Sequence, residues 1–218
     1  MPDVRTATAD DLPSIGRVLA AAFSDDPVWR YLAAPRADWP TRAAAWFQAD
    51  AQAQMRGHGE VMVDCAQEDA ASGDEGAAGE AAGSPAVRGA AIWCPPGRWK
   101  GTASEAMAIA EPSARLFRSK LPRAIRLLTQ MERAHPADPP HWYLAVLGTD
   151  PAHQGAGVGS DLIRAITDRC DTQGLGAYLE SSKEQNVPFY ARHGFKVVER
   201  VDPGSQPPTW TMWRDPRP

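Results

Sequence analysis

The chain has 218 residues, 43% of them hydrophobic and 23% charged, the balance of an ordinary soluble globular protein and the size of one large domain. No run approaches the ~20 continuous apolar residues of a membrane span, and the N-terminal MPDVRTATADD lacks the apolar core of a signal peptide, so the reading is a cytoplasmic protein. The formal net charge is −4, but Glu68, Asp69, Asp74, Glu75 and Glu80 all fall within residues 66–84, which leaves the rest of the chain at +1 and without the basic field of a nucleic-acid binder.

Thr8 and Asp11 have the spacing of a capping box, and Leu12, Ile15, Leu19 and Phe23 follow at helical spacing, so a first helix runs up to about Ser24–Pro27. A second helix is expected from about Thr41 to Arg56. Between them lie Trp29, Tyr31 and Trp39, in what reads as loop; this aromatic group either lines a substrate pocket, with Trp29 and Tyr31 as its contacts, or closes the edge of the core. Residues 60–65 and 87–94 read as two short strands. The segment 66–84 between them is rich in Ala, Gly, Ser and Glu and has no aromatic or branched aliphatic residue; it reads as a flexible acidic insertion in a hairpin. Residues 103–134 read as helices broken at Pro112 and Pro122. Then come a strand at 142–149, an amphipathic helix at 158–173, a short strand at 177–181, a short helix from Asn186, and a terminal hairpin of 195–201 and 209–214. Helices alternating with strands imply an α/β domain around a mixed sheet. Cys65, Cys94 and Cys170 are widely separated and have no metal-ligand spacing, so they read as reduced, buried thiols, and no metal is expected.

The strongest local feature is His153-Gln154-Gly155-Ala156-Gly157-Val158-Gly159-Ser160, set between a strand and an amphipathic helix. Glycines at alternate positions allow a tight turn and leave backbone N–H groups unobstructed, and the helix start adds unpaired N–H groups and the positive end of its dipole. Together these make a cradle for a phosphate-bearing ligand. A Walker loop requires a lysine that is absent here, and a dinucleotide fingerprint requires a glycine where Ser160 stands. A glycine turn that holds no ligand is the remaining alternative.

Gln154-x-x-Gly157-x-Gly159, after a strand ending Leu147-Gly148-Thr149, resembles the acetyl-CoA-binding signature of the GNAT superfamily of N-acetyltransferases. Asn186-Val187-Pro188-Phe189-Tyr190-Ala191-Arg192-His193-Gly194-Phe195 resembles the superfamily's Asn-x-x-x-Tyr-x-x-x-Gly-Phe segment. With weaker passages at both termini, the chain is similar to the puromycin N-acetyltransferase branch; residues 60–140 match only loosely. The resemblance implies a single domain with a mixed central sheet flanked by helices. It also implies acetyl-CoA as co-substrate, with its pantetheine arm on Leu147, Gly148 and Thr149, its pyrophosphate over Gln154, Gly155, Ala156, Gly157, Val158, Gly159 and Ser160, Asn186 against the arm, and Tyr190 beside the sulfur.

Direct attack of an amine on a thioester needs orientation, oxyanion stabilisation and proton management. Tyr190 lies four residues after Asn186 on one face of a short helix that Asn186 can cap and Gly194 can end, which makes its phenol the candidate general acid, against the plainer reading of a tyrosine packing near Phe189 and Phe195. Glu180 is the leading candidate base, against the plainer reading of a solvated or salt-bridged strand-end acid. His141 and Glu132 are weaker candidates, and His153 reads as an exposed loop residue. Cys94 has no partner at a recognisable spacing, which argues against an acetyl-cysteine route. The acceptor expected is a small amine, with a peptide or protein amine, or a non-catalytic acetyl-CoA-binding domain, as alternatives. Monomer and homodimer both stay open.

Overall fold

The structure is a computed structural model that describes residues 4–33, 37–66, 86–202, 204 and 206–217; the acidic segment, apart from Ala66, lies outside the described residues. The elements in chain order are β1 (Val4–Thr6), α1 (Leu12–Ala22), α2 (Pro27–Ala33), α3 (Trp39–Arg56), β2 (Glu60–Cys65), β3 (Val87–Cys94), α4 (Ala103–Ala108), α5 (Ala110–Phe117), α6 (Leu121–Ala134), β4 (His141–Thr149), α7 (Val158–Gln173), β5 (Gly176–Ser181), α8 (Val187–Arg192), β6 (Lys196–Val201) and β7 (Thr209–Arg214). The strands form one mixed sheet in the order β1-β2-β3-β4-β5-β7-β6. Among the described residues only β4 and β5 pair in parallel, and α7 is the crossover that such a pair requires. The chain is thus a single-domain α/β protein with a mixed central sheet flanked by helices.

Each face of the sheet is covered by helices chosen by the apolar pattern. Ile15, Val18 and Leu19 of α1 and Ala43, Phe47 and Ala51 of α3 are buried on one face. Leu162, Ile163, Ile166 and Cys170 of α7 are fully buried on the other. Gly16, in the middle of α1, is required by close approach: a Cβ there would stand 2.5 Å from the Ala44 carbonyl oxygen of α3. At the C-terminal end, the buried Arg214 guanidinium makes a two-pronged ion pair with Asp171 of α7 at 2.7 and 2.6 Å, tying β7 to the helix layer.

A bulge in β4 sets up the site. Trp93 pairs with Leu144 but Ile92 pairs with Val146, so Ala145 is an extra residue. Side-chain parity changes there: Trp142 and Leu144 pack with α7, whereas beyond the bulge Val146 joins the α1–α3 cluster and Leu147 takes the α7 side. The ladder between β4 and β5 also ends at this point, at Leu144 with Leu179, although β4 runs on to Thr149. The two parallel strands therefore part in a V at the level of the bulge.

The structure differs from expectation in several places. β1 and α2 have no counterpart in the sequence reading; α2 begins at Pro27, where a helix end was expected, because Asp26 Oδ1 accepts the Val28 and Trp29 N–H groups at 2.9 and 3.0 Å and caps a new helix. Pro112 and Pro122 do not break helices but sit in the first turns of α5 and α6, where a missing N–H costs nothing. The second helix starts at Trp39, with Pro40 in its first turn. β2 and β3 pair antiparallel, and Ala66 N–H donates to the Ala86 carbonyl at 2.9 Å, so a hairpin base flanks the acidic segment.

Candidate active site

A cavity of about 500 Å³ fills the V, within the range of small-molecule sites. Its wall includes residues 147–149, 154, 155, 157–160, 180, 186 and 190, so nearly every residue singled out in the sequence converges on it. Ala156 is exposed and does not line it. Beyond Leu144 no ladder pair ties β4 to β5, so backbone groups on that edge of residues 145–149 are left facing the cavity, where an extended ligand can add as a strand.

Gly155 (φ +82°) and Gly157 (φ +91°) occupy the left-handed region, and Gly157 is the N-terminal cap of α7. Among the described residues the N–H groups of Gln154, Gly155, Gly157, Val158 and Gly159 make no hydrogen bond. Two N–H groups of the expected cradle are already used: Ala156 donates to His153 O at 3.4 Å and Ser160 to Gly157 O at 2.8 Å. The cradle is therefore narrower than the run Gln154–Ser160. Gly159 lets the loop meet α8, since a Cβ there would lie 3.2 Å from Phe189 Cζ and 3.5 Å from Thr149 Oγ1. His193 Nε2 meets Ser160 Oγ at 3.0 Å, so the two sequence motifs are joined directly. Burial, followed by nearby arginines, holds the His193 imidazole below its ordinary value and neutral. His153 is half-buried rather than exposed; it lines the cavity, and its Nδ1 has no hydrogen-bond partner.

Asn186 stands at the N-cap position of α8, but its side chain makes no capping bond and the residue lines the cavity instead. Tyr190, one turn on, is 8% exposed, edge-on to Phe189 at 5.2 Å and to Phe195 at 6.2 Å. Burial, reinforced by the nearby Asp26 charge, raises its phenol well above the ordinary value, so the hydroxyl keeps its proton.

The opposite wall is acidic. Glu180 projects from β5 with a side chain 8% exposed, and His135 Nδ1 lies 3.8 Å from its Oε1. Tyr143 and Tyr178 flank it; burial first, then the Glu180 charge, pushes both phenols up. Glu180 is thus not a solvated acid; it stands near the end of β5 beside His135. Asp26, missed in the sequence, is 2% exposed and lines the same cavity. The Ser182 hydroxyl donates to its Oδ2, and burial raises its carboxyl despite that bond. Lys183 is paired with Asp25 at the entrance. The Asp26-Pro27 dipeptide was the available signal for the cap, but only the fold brings it to β5.

Trp29 and Tyr31 do not line the cavity. Trp29 packs into the α1–α3 core, with ring centroids 4.9 Å from Phe47, 5.0 Å from Trp46 and 6.0 Å from Phe117. Tyr31 lies under the Arg123 guanidinium at 4.6 Å, and its carbonyl accepts from Lys120. Formation of α2 turns both residues toward α3, α5 and α6, which corrects the pocket assignment in favour of the core edge. Glu132 is exposed and away from the cavity, and His141 is buried behind Glu180 rather than in its wall. No group of His, Cys, Asp and Glu among the described residues could hold a metal ion.

The Acetyltransferase (GNAT) family model matches residues 99–195, the stretch that contains the glycine loop, Glu180, Asn186 and Tyr190. An uncharacterised N-acetyltransferase of Schizosaccharomyces pombe is 40% identical over 60 residues, 28% of this chain and 24% of that protein. The matches to curated relatives span only 24% to 36% of those proteins' lengths. Among solved structures, a histone acetyltransferase HPA2 and related acetyltransferase from Corynebacterium glutamicum is 24% identical with a TM-score of 0.64, covering 100% of this chain and 97% of that one. The PaiA N-acetyltransferase of Thermoplasma acidophilum, in complex with coenzyme A, aligns over 99% of both chains with a TM-score of 0.53 and 12% identity. The GNAT family model thus covers the motif-bearing segment, and the chain shares its fold with these solved acetyltransferases along its length.

Proposed function

We propose that the protein transfers the acetyl group of acetyl-CoA to the primary amine of a small molecule by direct attack. The observation that carries this reading is the continuity of one cavity between unspent backbone N–H groups at 154, 155 and 157–159 and the protein's two best-placed proton-handling groups, Glu180 and Tyr190. The loop residues Gln154, Gly155, Gly157, Val158 and Gly159 hold the pyrophosphate, with the α7 N-terminus adding its dipole. The open edge of β4 at Leu147 and Thr149 pairs with the pantetheine arm, and Asn186 contacts that arm from α8.

The acceptor enters as an ammonium drawn by Asp25, Asp26 and Glu180. Glu180 takes one proton, the neutral nitrogen adds to the thioester carbonyl carbon, and the C–S bond breaks as the tetrahedral oxyanion collapses. Tyr190 gives its hydroxyl proton to the departing sulfur, and the surplus proton on the newly acylated nitrogen restores the phenol; its raised phenol keeps the hydroxyl proton in place until then. Burial raises the Cys94 thiol to about 12, so it offers no thiolate for an acetyl-cysteine route. A cavity of about 500 Å³ that also receives the thioester favours a compact acceptor over a folded protein segment. The cytoplasm suits three free, buried cysteines.

Thiol release from acetyl-CoA, measured against a panel of small primary amines, puromycin and N-terminal peptides, tests the proposal. Amine-dependent release with at least one small amine is expected. Release with peptides alone would overturn the small-molecule reading, and binding without release to any acceptor would leave a non-catalytic acetyl-CoA-binding domain.

A further inference from the structure

Behind Glu180, away from the cavity, lies a buried pair of histidines that the acetyl-transfer chemistry has not yet used. His135, just after α6, has a side chain 2% exposed, and His141, the first residue of β4, is 3% exposed. Their Nε2 atoms are 3.0 Å apart. His141 Nδ1 is 2.7 Å from the Pro139 carbonyl oxygen, and His135 Nδ1 is 3.8 Å from Glu180 Oε1.

Hydrogen-bond chemistry fixes the protons. A carbonyl oxygen only accepts, so His141 carries its proton on Nδ1 and presents a lone pair at Nε2. His135 must then donate from Nε2, which leaves the lone pair of its Nδ1 facing Glu180. Two protonated rings cannot share the 3.0 Å contact, and burial, the largest influence on His141, lowers its imidazole and keeps it neutral.

We propose that His135 is a positioning and proton-storing partner of Glu180, receiving at Nδ1 the proton that Glu180 removes from the acceptor ammonium. The proposal rests on Glu180 being the amine base. The transfer moves a single proton: the ammonium N–H bond breaks, a proton passes through the Glu180 carboxyl to His135 Nδ1, and the imidazolium keeps its Nε2–H bond to His141 unchanged. The Glu180–His135 pair goes from net −1 to net zero, so the stored charge forms beside its counter-charge rather than as an isolated buried ion. Trp99 stacks on the His135 ring with centroids 3.9 Å apart and planes at 19°, a face that favours the cationic form. The other ionisable groups facing the ring are Tyr143 of β4 and Tyr178 of β5, both edge-on at 4.7 Å and both held neutral by burial; Lys100 lies beyond Trp99, 5.0 Å from its ring. Trp213 of β7 closes the far side of His141.

Long-range ¹H–¹⁵N correlation of the imidazole nitrogens in the full chain tests this without acetyl-CoA or acceptor. The expected spectrum keeps His141 as the Nδ1–H tautomer, with His135 as the Nε2–H tautomer at high pH and gaining a second proton on Nδ1 as pH falls. In Glu180→Gln that uptake moves down by about one pH unit, a tenfold loss of proton affinity. An Nδ1–H tautomer for neutral His135, or a titration unaffected by Glu180→Gln, would overturn the proposal. In turnover, His135→Gln keeps an amide N–H toward His141 but no basic nitrogen. It should lower kcat about tenfold and displace the acidic limb of the pH–rate profile, with the KM for acetyl-CoA within about twofold. A wild-type limb and kcat in His135→Gln, with rate lost in Glu180→Gln, strikes His135 alone. Wild-type behaviour in Glu180→Gln removes the base reading itself, and this proposal with it.

Discussion

The two walls of the cavity are built from different materials. The α7 wall is backbone: Gly155 and Gly157 at positive φ hold a row of N–H groups open, and few side chains intervene. The β5 wall is side chain: Glu180 and Asp26, both nearly buried, with the hydroxyls of Ser182, Tyr143 and Tyr178 and the His135 imidazole packed around them. The backbone wall is fixed and cannot titrate, so it suits a ligand of constant negative charge. The side-chain wall stores and moves protons, which suits a group whose charge changes during reaction. A molecule lying across the V is gripped at one end and acted on at the other.

Variants that separate binding from chemistry test this division. The largest effect is expected from Glu180→Gln, which removes the carboxylate without changing its size: kcat should fall about 10²–10³-fold with little change in the dissociation constant for acetyl-CoA. A wild-type acidic limb in its pH–rate profile would contradict the assignment. Tyr190→Phe should lower kcat about 10–100-fold on the same wall, again with binding preserved, and an unchanged chemical step in single-turnover kinetics would remove the acid role. Gly157→Val acts on the other wall. A β-branched side chain at φ +91° is strained and tilts the N–H row, so acetyl-CoA affinity should fall about tenfold while kcat at saturation stays within about twofold, readable by calorimetry and steady-state kinetics.

The smallest functional effect belongs to the clamp outside both walls. Arg214→Met removes the ion pair to Asp171 and the bond to the His193 carbonyl, at a cost of about 2–3 kcal/mol to the fold. The pair's pH dependence has a definite sign. Arg214 holds the Asp171 carboxyl below its ordinary value, so the stabilisation is complete above about pH 4 and is lost as pH falls below that value. Thermal melts at pH 7 and pH 3 check this: the wild-type advantage over Arg214→Met should shrink at the lower pH.

The backbone wall was legible in the sequence because glycines and a helix start report their conformation locally. Residues 154–160 and the strand and helix around them fall where the pattern places them, and the helix at 158–173 matches residue for residue. The acid wall was legible only in part: Glu180 stood out, but Asp26 and the way the two meet did not. Asp26 and Glu180 are far apart in sequence and meet only because α2 forms and β4 bulges at Ala145, and neither event leaves a periodic signal. Trp29 and Tyr31 misled for the same reason: aromatics in an apparent loop suggested a pocket, but Asp26 and Pro27 start a helix that turns them into the core. His135 carried no signal, since its meaning lies in Glu180 and His141, each reached by tertiary packing.

The most direct test of the account is calorimetric titration of the folded protein with acetyl-CoA. Binding at one site per chain, weakened about tenfold in Gly157→Val and unaltered in Glu180→Gln, is the expected result. Absence of heat and of any shift in melting temperature at saturating acetyl-CoA would contradict it, because the open N–H row would then hold no pyrophosphate.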